Sequence, residues 1–313
     1  MASRSIFANL VRGDDGAWST AYGPFILRSA LQPIFRTSKP GNRLAIEAFV
    51  GLVRAYRGEE PVPPHEFFSL VDPAEVADID SMVRTIHILN TGRLDRRQAK
   101  IFVKFQPGLV RTPEDMRHEV ERIKLASHEA GLAVNRIVCE IRQTAETNAA
   151  VIADFTSHMR AIGFQVAIDD YGAGESDLAL LKRVKPDYVK FEPGWVRDFL
   201  DNPAGAALLR VVLQQMLDDG IEPIIEGLEE MWQVEVCEEF GASLVQGYAL
   251  ARPELAPTTF DRTFPEHGLP RIGGDLDMSS SPASAIRVSA AAPFPSATPL
   301  KRMKTFGRRH QGS

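Results

Sequence analysis

QVAIDDYGAG, residues 165–174, runs from a short apolar segment into two adjacent carboxylates, Asp169 and Asp170, and then into a turn with two glycines. The apolar part has the length and composition of a buried strand, and the glycines punctuate its end. A second segment of the same kind, DYVKFE at residues 187–192, follows after a stretch long enough for one helix. Working outward in both directions, the same alternation holds from residue 25 to residue 262. The strand candidates ALQPIF, RLAIEAFV, KIFVKF, RIVCEI, QVAID, YVKFE, EPIIEG and SLVQG are separated by longer stretches with helical periodicity, such as TPEDMRHEVERIKLASHEAG and AALLRVVLQQMLDDG. Pro113 with Glu114 and Asp115 suits a helix start, and Gly131 and Gly220 suit helix stops. Repeated βα units imply a parallel sheet covered by helices. Eight strand candidates point to a closed (βα)8 TIM-like barrel, with an open doubly wound sheet as the alternative.

The chain has 313 residues, 44% hydrophobic and 25% charged, which is ordinary for a globular protein and excludes a fibrous or largely disordered one. The apolar stretches are too short for a transmembrane segment. The start, MASRSIFANLVRGDD, lacks the apolar core and cleavage site of a secretory signal, so a cytoplasmic location is expected. Cys139 and Cys237 have no partners at metal-binding spacing and are expected in the core. No glycine-rich dinucleotide or P-loop signature follows any strand.

Charge divides the chain further. Residues 268–313 carry seven basic residues against Asp275 and Asp277, whereas the whole chain has a net charge of −5. This end is dense in Ser, Ala and Pro and is expected to be disordered, since it buries too little apolar surface to offset the entropy of ordering. Its basic terminus, KRMKTFGRRH, is suited to an acidic surface or simply to solvent. The expected organisation is an N-terminal arm over 1–24, a barrel domain over 25–262 and a basic tail over 263–313.

Active residues of such barrels project from the C-terminal ends of the strands. Here those ends read Glu47, Lys104, Glu140, Asp169 with Asp170, Lys190, Glu226 with Glu229, and Gln246. One acid at a strand end is commonly a cap or a surface partner. Six acids at strand ends raise one another's pKa unless cations neutralise them, and hard divalent ions with oxygen ligands do this well. No histidine occurs in these segments, which favours Mg²⁺ or Mn²⁺ over Zn²⁺.

These segments resemble, in order and spacing, those of the EAL domain, a family of bacterial phosphodiesterases that open cyclic di-GMP to the linear dinucleotide pGpG. LQPIF resembles the family's "QPI" strand, IEAF its "EAL", CEI its "E-[IL]-T-E", and IDDYGAG its "DDFGTG". DYVKFE resembles "DYIKID", IIEGLEE "AEGVET", and VQGYALARP the "QGY" strand. The resemblance implies an EAL-type barrel with one antiparallel strand and a two-metal site. On that basis Glu47, Glu140, Asp169 and Asp170 would be metal ligands and Lys190 would position the attacking water. Glu226 would be a metal-site carboxylate or general base, supported by Glu229, and Gln32 and Gln246 would lie near the nucleotide.

Four positions depart from the family pattern. Lys104 stands where the family has an Asn metal ligand, and Gly51 where it has a phosphate-contacting Arg. Gln143 replaces the second Glu of "E-[IL]-T-E", and Ala173 the Thr of "DDFGTG". An ammonium about 4 Å from a divalent ion is repelled by about 8 kcal/mol at an effective dielectric of about 20. Lys104 is therefore expected to act as an internal counter-ion, pairing with Glu47 and Glu140, so that Mg²⁺ or Mn²⁺ serves an active site and a degenerate one needs no ion. The expected function is a degenerate EAL module with weak or no hydrolysis, acting by binding cyclic di-GMP or a protein partner, with a homodimer as one arrangement. The alternative is an active metal-dependent phosphodiesterase. An unrelated barrel aldolase with a Schiff base on Lys190 is a distant third. IGGDLD at residues 272–277 resembles the "GGDEF" signature of cyclic di-GMP synthases, but no domain surrounds it, and it is read as coincidence.

Overall fold

The computed structural model describes residues 9–37, 44–110, 112–142, 149–172 and 177–264. Residues 265–313 of the basic tail, IGGDLD among them, and Gln143 and Ala173 lie outside these residues. Among the described residues there are twelve strands and nine α-helices. First come β1 (Leu10–Arg12), β2 (Trp18–Tyr22), β3 (Phe25–Arg36), β4 (Ala45–Arg57) and β5 (Glu60–Val62), then α1 (Pro64–Ser69) and α2 (Val76–Thr91). There follow β6 (Lys100–Phe105), α3 (Pro113–Glu129), β7 (Ile137–Arg142), α4 (Ala149–Ile162), β8 (Gln165–Tyr171), α5 (Asp177–Val184) and β9 (Tyr188–Phe191). Then come α6 (Pro193–Leu200), α7 (Pro203–Asp218), β10 (Glu222–Ile225), α8 (Met231–Glu239), β11 (Leu244–Val245), β12 (Glu254–Leu255) and α9 (Phe260–Thr263).

The barrel closes through eight strands in the order β3, β11, β10, β9, β8, β7, β6, β4, with β4 returning to β3. Every pairing from β4 through β6 to β11 is parallel, while β3 is antiparallel to both of its neighbours. The single antiparallel barrel strand expected from the sequence is therefore β3. Within the stretch read as an N-terminal arm, the described residues join the sheet: β1 pairs with β2, and β2 with the first residues of β3. β3 and β4 are long enough to close the barrel with one half and to carry this hairpin extension with the other.

Helix starts follow local chemistry. Thr112 caps α3 in a capping box with Asp115, with Pro113 in the first turn. Gly131 and Gly220 have φ of 63° and 76°, the left-handed conformation that ends a helix. Cys139 and Cys237 are buried and unpaired, as expected. Among the described residues no helix is long and apolar enough to cross a membrane.

Period-2 alternation gives each strand one face outward, to the helices, and one face inward. Phe35, Phe49, Ile101, Val103, Cys139, Val166 and Val189 pack outward in the large helix-facing core. Ile34, Ala48, Val50, Phe102, Val138, Ala167, Tyr188, Ile224 and Leu244 form a separate apolar layer to which every barrel strand contributes, β4 with two residues. That layer is a plug across the barrel, with Phe102 and Tyr188 in edge-to-face contact at 5.2 Å. Removing a large plug side chain should cost as much as other large-to-small core changes. Phe102→Ala is expected to lower stability by about 3–5 kcal/mol in urea unfolding. A loss under ~1 kcal/mol would contradict a packed interior.

Candidate functional site

The residues beyond the plug, toward the C-terminal strand ends, are charged. Lys104 on β6 is in register with Glu140 on β7. Asp169 lies two residues beyond Ala167 on β8, and Lys190 two beyond Tyr188 on β9, so all four point to the barrel mouth. Lys190 is buried, with its Nζ 2.9 Å from Glu226 Oε2, 3.3 Å from Glu140 Oε1 and 3.5 Å from Asp169 Oδ1. Lys104 Nζ lies 3.2 Å from Glu140 Oε1 and 3.1 Å from Asp169 Oδ2, and its side chain is 53% exposed. Arg142, at the end of β7, holds Asp170 Oδ2 from its Nε at 2.5 Å.

The neighbouring aspartates share this mouth for a local reason. In a regular strand Asp169 and Asp170 would point to opposite faces. The β8–β9 register shifts between Ile168 and Tyr171, and Asp170 takes φ of 55°, a conformation Asp tolerates better than most residues. Ligand atoms of Asp169, Asp170 and Glu226 then come within 4.8 Å of one another.

Burial acts on each acid. It pushes Glu140 up, reinforced by the charge of Asp169 and opposed by the two lysines. Burial also works against an ionised Asp169, but Lys190 and Lys104 outweigh it and hold Asp169 below the usual carboxylate range. Glu226 is raised by burial despite Lys190, and Asp170 by burial and Asp169 despite Arg142. Lys104 is held above the ordinary lysine value, chiefly by Glu140. Two buried oxygens, Glu140 Oε2 and Asp169 Oδ1, have no hydrogen-bond partner among the described residues. Three clustered carboxylates with an orphaned buried oxygen suit a hard divalent cation. The position between Glu140 and Asp169 holds the Lys104 ammonium.

Glu47 is not brought to this cluster. Its carboxylate is held by Arg36 Nε at 3.0 Å and Lys100 Nζ at 2.6 Å, and Arg36 also reaches Glu222 at 2.9 Å. Lys100 opens β6, four residues before Lys104, so Glu47 lies roughly 13–17 Å from the mouth at about 3.3 Å per strand residue. The expectation that Glu47 ends its strand fails because the apolar run continues: β4 extends ten residues past it, to Arg57. Burial would raise the Glu47 pKa, but hydrogen bonds from Arg36 and Lys100 bring it down to about 2.

Gly51 is also placed differently. A Cβ there would come within 2.5 Å of the His87 ring, so the position faces α2 rather than the mouth. His87 fills that space, buried and 2.7 Å from Ser29 Oγ, and burial lowers its pKa to about 3. An arginine introduced at this position would meet α2, not a ligand at the mouth. Gln246 is buried two residues beyond Leu244 of the plug, and its Oε1 has no hydrogen-bond partner among the described residues. Gln32 Nε2 donates to the Ala251 carbonyl at 3.4 Å. Glu229 is exposed in the loop before α8, and its backbone N–H donates to Gln233 Oε1 at 2.8 Å.

Two residues escaped the sequence reading. Arg142 follows Glu140 by two positions, where the resembling pattern has Thr, and that difference was a visible signal. Arg84 on α2 is buried between Asp80 and Glu119, donates from Nη1 to the Lys104 carbonyl at 3.1 Å, and lies over Phe105 at 4.3 Å. It fixes the end of β6 that carries Lys104. The Asp80–Arg84 spacing of four on a helix was its only sequence trace.

The sequence profile of the EAL domain family matches residues 26–253. The chain belongs to the EAL domain family. It is 23% identical over 195 residues to the probable cyclic di-GMP phosphodiesterase PdeA of Escherichia coli K12, a match covering 61% of this chain and 26% of PdeA. The chain thus spans only about a quarter of that curated relative. A standalone EAL protein of Vibrio cholerae O395, solved in its c-di-GMP-bound form, has a TM-score of 0.65 at 24% identity, covering 75% of this chain and 98% of that one. The manganese/cy-diGMP complex of Klebsiella pneumoniae BlrP1 has a TM-score of 0.64 at 26% identity, covering 74% of this chain and 57% of that one.

The floor ion pairs make Glu47 a stability residue in this EAL chain. Its stabilisation is present above the ordinary Glu value near 4.5 and is lost as pH falls toward 2, because the folded-state pKa is depressed. Glu47→Gln is expected to cost about 3 kcal/mol in urea unfolding at pH 7, with the deficit shrinking below pH 4. It should leave divalent-ion affinity within about twofold of wild type, a change of under ~0.5 kcal/mol. Loss of ion binding with unchanged stability would return Glu47 to the mouth.

Proposed function

We propose that this chain is an EAL module that recognises cyclic di-GMP at the mouth of its barrel, with weak or no hydrolysis, and acts through the bound nucleotide or a protein partner. The observation that carries this reading is the Lys104 ammonium, 3.2 Å from Glu140 and 3.1 Å from Asp169, in place of a neutral ligand. Lys104 keeps the two carboxylates together and supplies the positive charge that would otherwise come from an ion.

The Vibrio protein was solved bound to c-di-GMP and the Klebsiella protein with manganese and cy-diGMP, which supports the nucleotide and the metal class for this fold. A divalent ion bound by Asp169, Asp170 and Glu226 would supply Lewis acidity at a phosphodiester. Lys190 would orient Glu226 and Glu140 beneath the phosphate, and the Gln246 amide, its Oε1 unpartnered among the described residues, would be available to the nucleotide. The second reading, an active phosphodiesterase, is favoured by the retained Asp169, Asp170 and Glu226 group.

Incubation of the purified chain with cyclic di-GMP and Mg²⁺ or Mn²⁺, followed by chromatography for pGpG, separates the two. Little or no product is expected from wild type, and Lys104→Asn should raise the rate at least about tenfold, equivalent to ~1.4 kcal/mol of barrier. Rapid turnover by wild type, unchanged in Lys104→Asn, would sink the weak-hydrolysis reading in favour of the second.

A further inference from the structure

Two protein cations at the mouth occupy positions next to the paired aspartates. Lys104 bridges Glu140 and Asp169, and Arg142 holds the far side of Asp170. Neither arrangement follows the family pattern, and Arg142 stands where that pattern has Thr. Together with Lys190 they set three positive charges against the four carboxylates Glu140, Asp169, Asp170 and Glu226. The cluster therefore carries one net negative charge.

That balance limits what it takes up. Two divalent ions would leave three uncompensated positive charges in a largely buried site. One divalent ion leaves a single positive charge, which one phosphodiester group neutralises. Geometry selects the same number. Ligand atoms of Asp169, Asp170 and Glu226 lie within 4.8 Å of one another, and the buried Asp169 Oδ1 has no hydrogen-bond partner among the described residues. Lys190 lies 2.9 Å from Glu226 and 3.5 Å from Asp169 Oδ1 at this position, whereas at the other position Glu140 Oε1 contacts two ammoniums, Lys190 and Lys104, and Lys104 also holds Asp169 Oδ2. An ion ligated by those oxygens would sit against a like charge, and the Lys104 side chain would first have to leave.

We propose that the mouth binds one divalent cation rather than two, at Asp169, Asp170 and Glu226, with the Lys104 ammonium permanently filling the second position. Arg142, exposed at the rim, yields its hold on Asp170 to the ion and is then free to meet the anionic group that the ion attracts. This rests on the EAL reading of the site, but concerns ion number, which is read without turnover.

The test is titration of the full chain with Mn²⁺, followed by calorimetry and by electron paramagnetic resonance. Ions in a two-metal site lie about 3.5–4 Å apart and are spin-coupled. The wild type should bind one Mn²⁺ with the six-line spectrum of an isolated ion. Glu226→Gln and Asp170→Asn should each weaken that ion at least about tenfold. Lys104→Asn should bind two ions and show a coupled spectrum. Two ions in wild type, no ion at saturating Mn²⁺, one ion indifferent to Glu226→Gln, or a single ion in folded Lys104→Asn would each overturn the proposal. If Lys104→Asn does not fold, as judged by circular dichroism, the wild-type spectrum and Glu226→Gln decide alone. Formation of pGpG by a wild type that holds one ion would defeat the weak-hydrolysis reading and leave the ion number standing.

Discussion

The ammonium of Lys190, buried among Glu140, Asp169 and Glu226, is the contact on which the rest of the mouth depends. Three carboxylates gathered at a barrel end repel one another strongly in a low-dielectric site, and burial adds to the difficulty of ionising them. One buried cation reaching all three relieves part of that repulsion, and Lys104 relieves more from the solvent side. The consequence is a site whose charge is nearly balanced by the chain itself. Any ion or anionic ligand enters a place already furnished with counter-charges.

The apolar plug divides two polar layers of opposite use. On the floor, Arg36, Lys100, Glu47 and Glu222 pair with one another and stabilise the β3, β4, β6 and β10 ends. At the mouth, Glu140 Oε2 and Asp169 Oδ1 make no hydrogen bond among the described residues, and a cation half exposed to solvent stands over their carboxylates. Satisfied ion pairs serve stability, whereas unsatisfied buried oxygens mark a place for a ligand. The same distinction assigns Gly51 and His87 to packing: the glycine admits the imidazole, and the imidazole closes the space between β4 and α2.

Much of the fold was legible in the sequence because its signals are local. All eight barrel strands were visible as short apolar runs, and α3 announced itself through Thr112, Pro113 and Asp115. Glu140, Asp169, Asp170, Lys190 and Glu226, read from short strands and their ends, are brought together at the mouth. Glu47 was misplaced because β4 is long, and no residue pattern says which end of a thirteen-residue strand reaches the mouth. The hairpin of β1 and β2 was missed because its pairing with β3 is set by tertiary contact. Gly51 read as a lost arginine because its neighbour, His87, lies thirty-six positions away in sequence. Lys104, by contrast, lies against Glu140 as its strand position and charge suggested, but its second partner is Asp169 in place of the expected Glu47.

The central claim is that a lysine ammonium holds one of the two cation positions at this barrel mouth. It is tested most directly by a crystal structure of the full chain grown with Mn²⁺, using anomalous scattering to locate every ion. The account predicts a single anomalous peak beside Asp169, Asp170 and Glu226, with Lys104 Nζ still in contact with Glu140 and Asp169. Two peaks at the mouth, with Lys104 turned out to solvent, would contradict it.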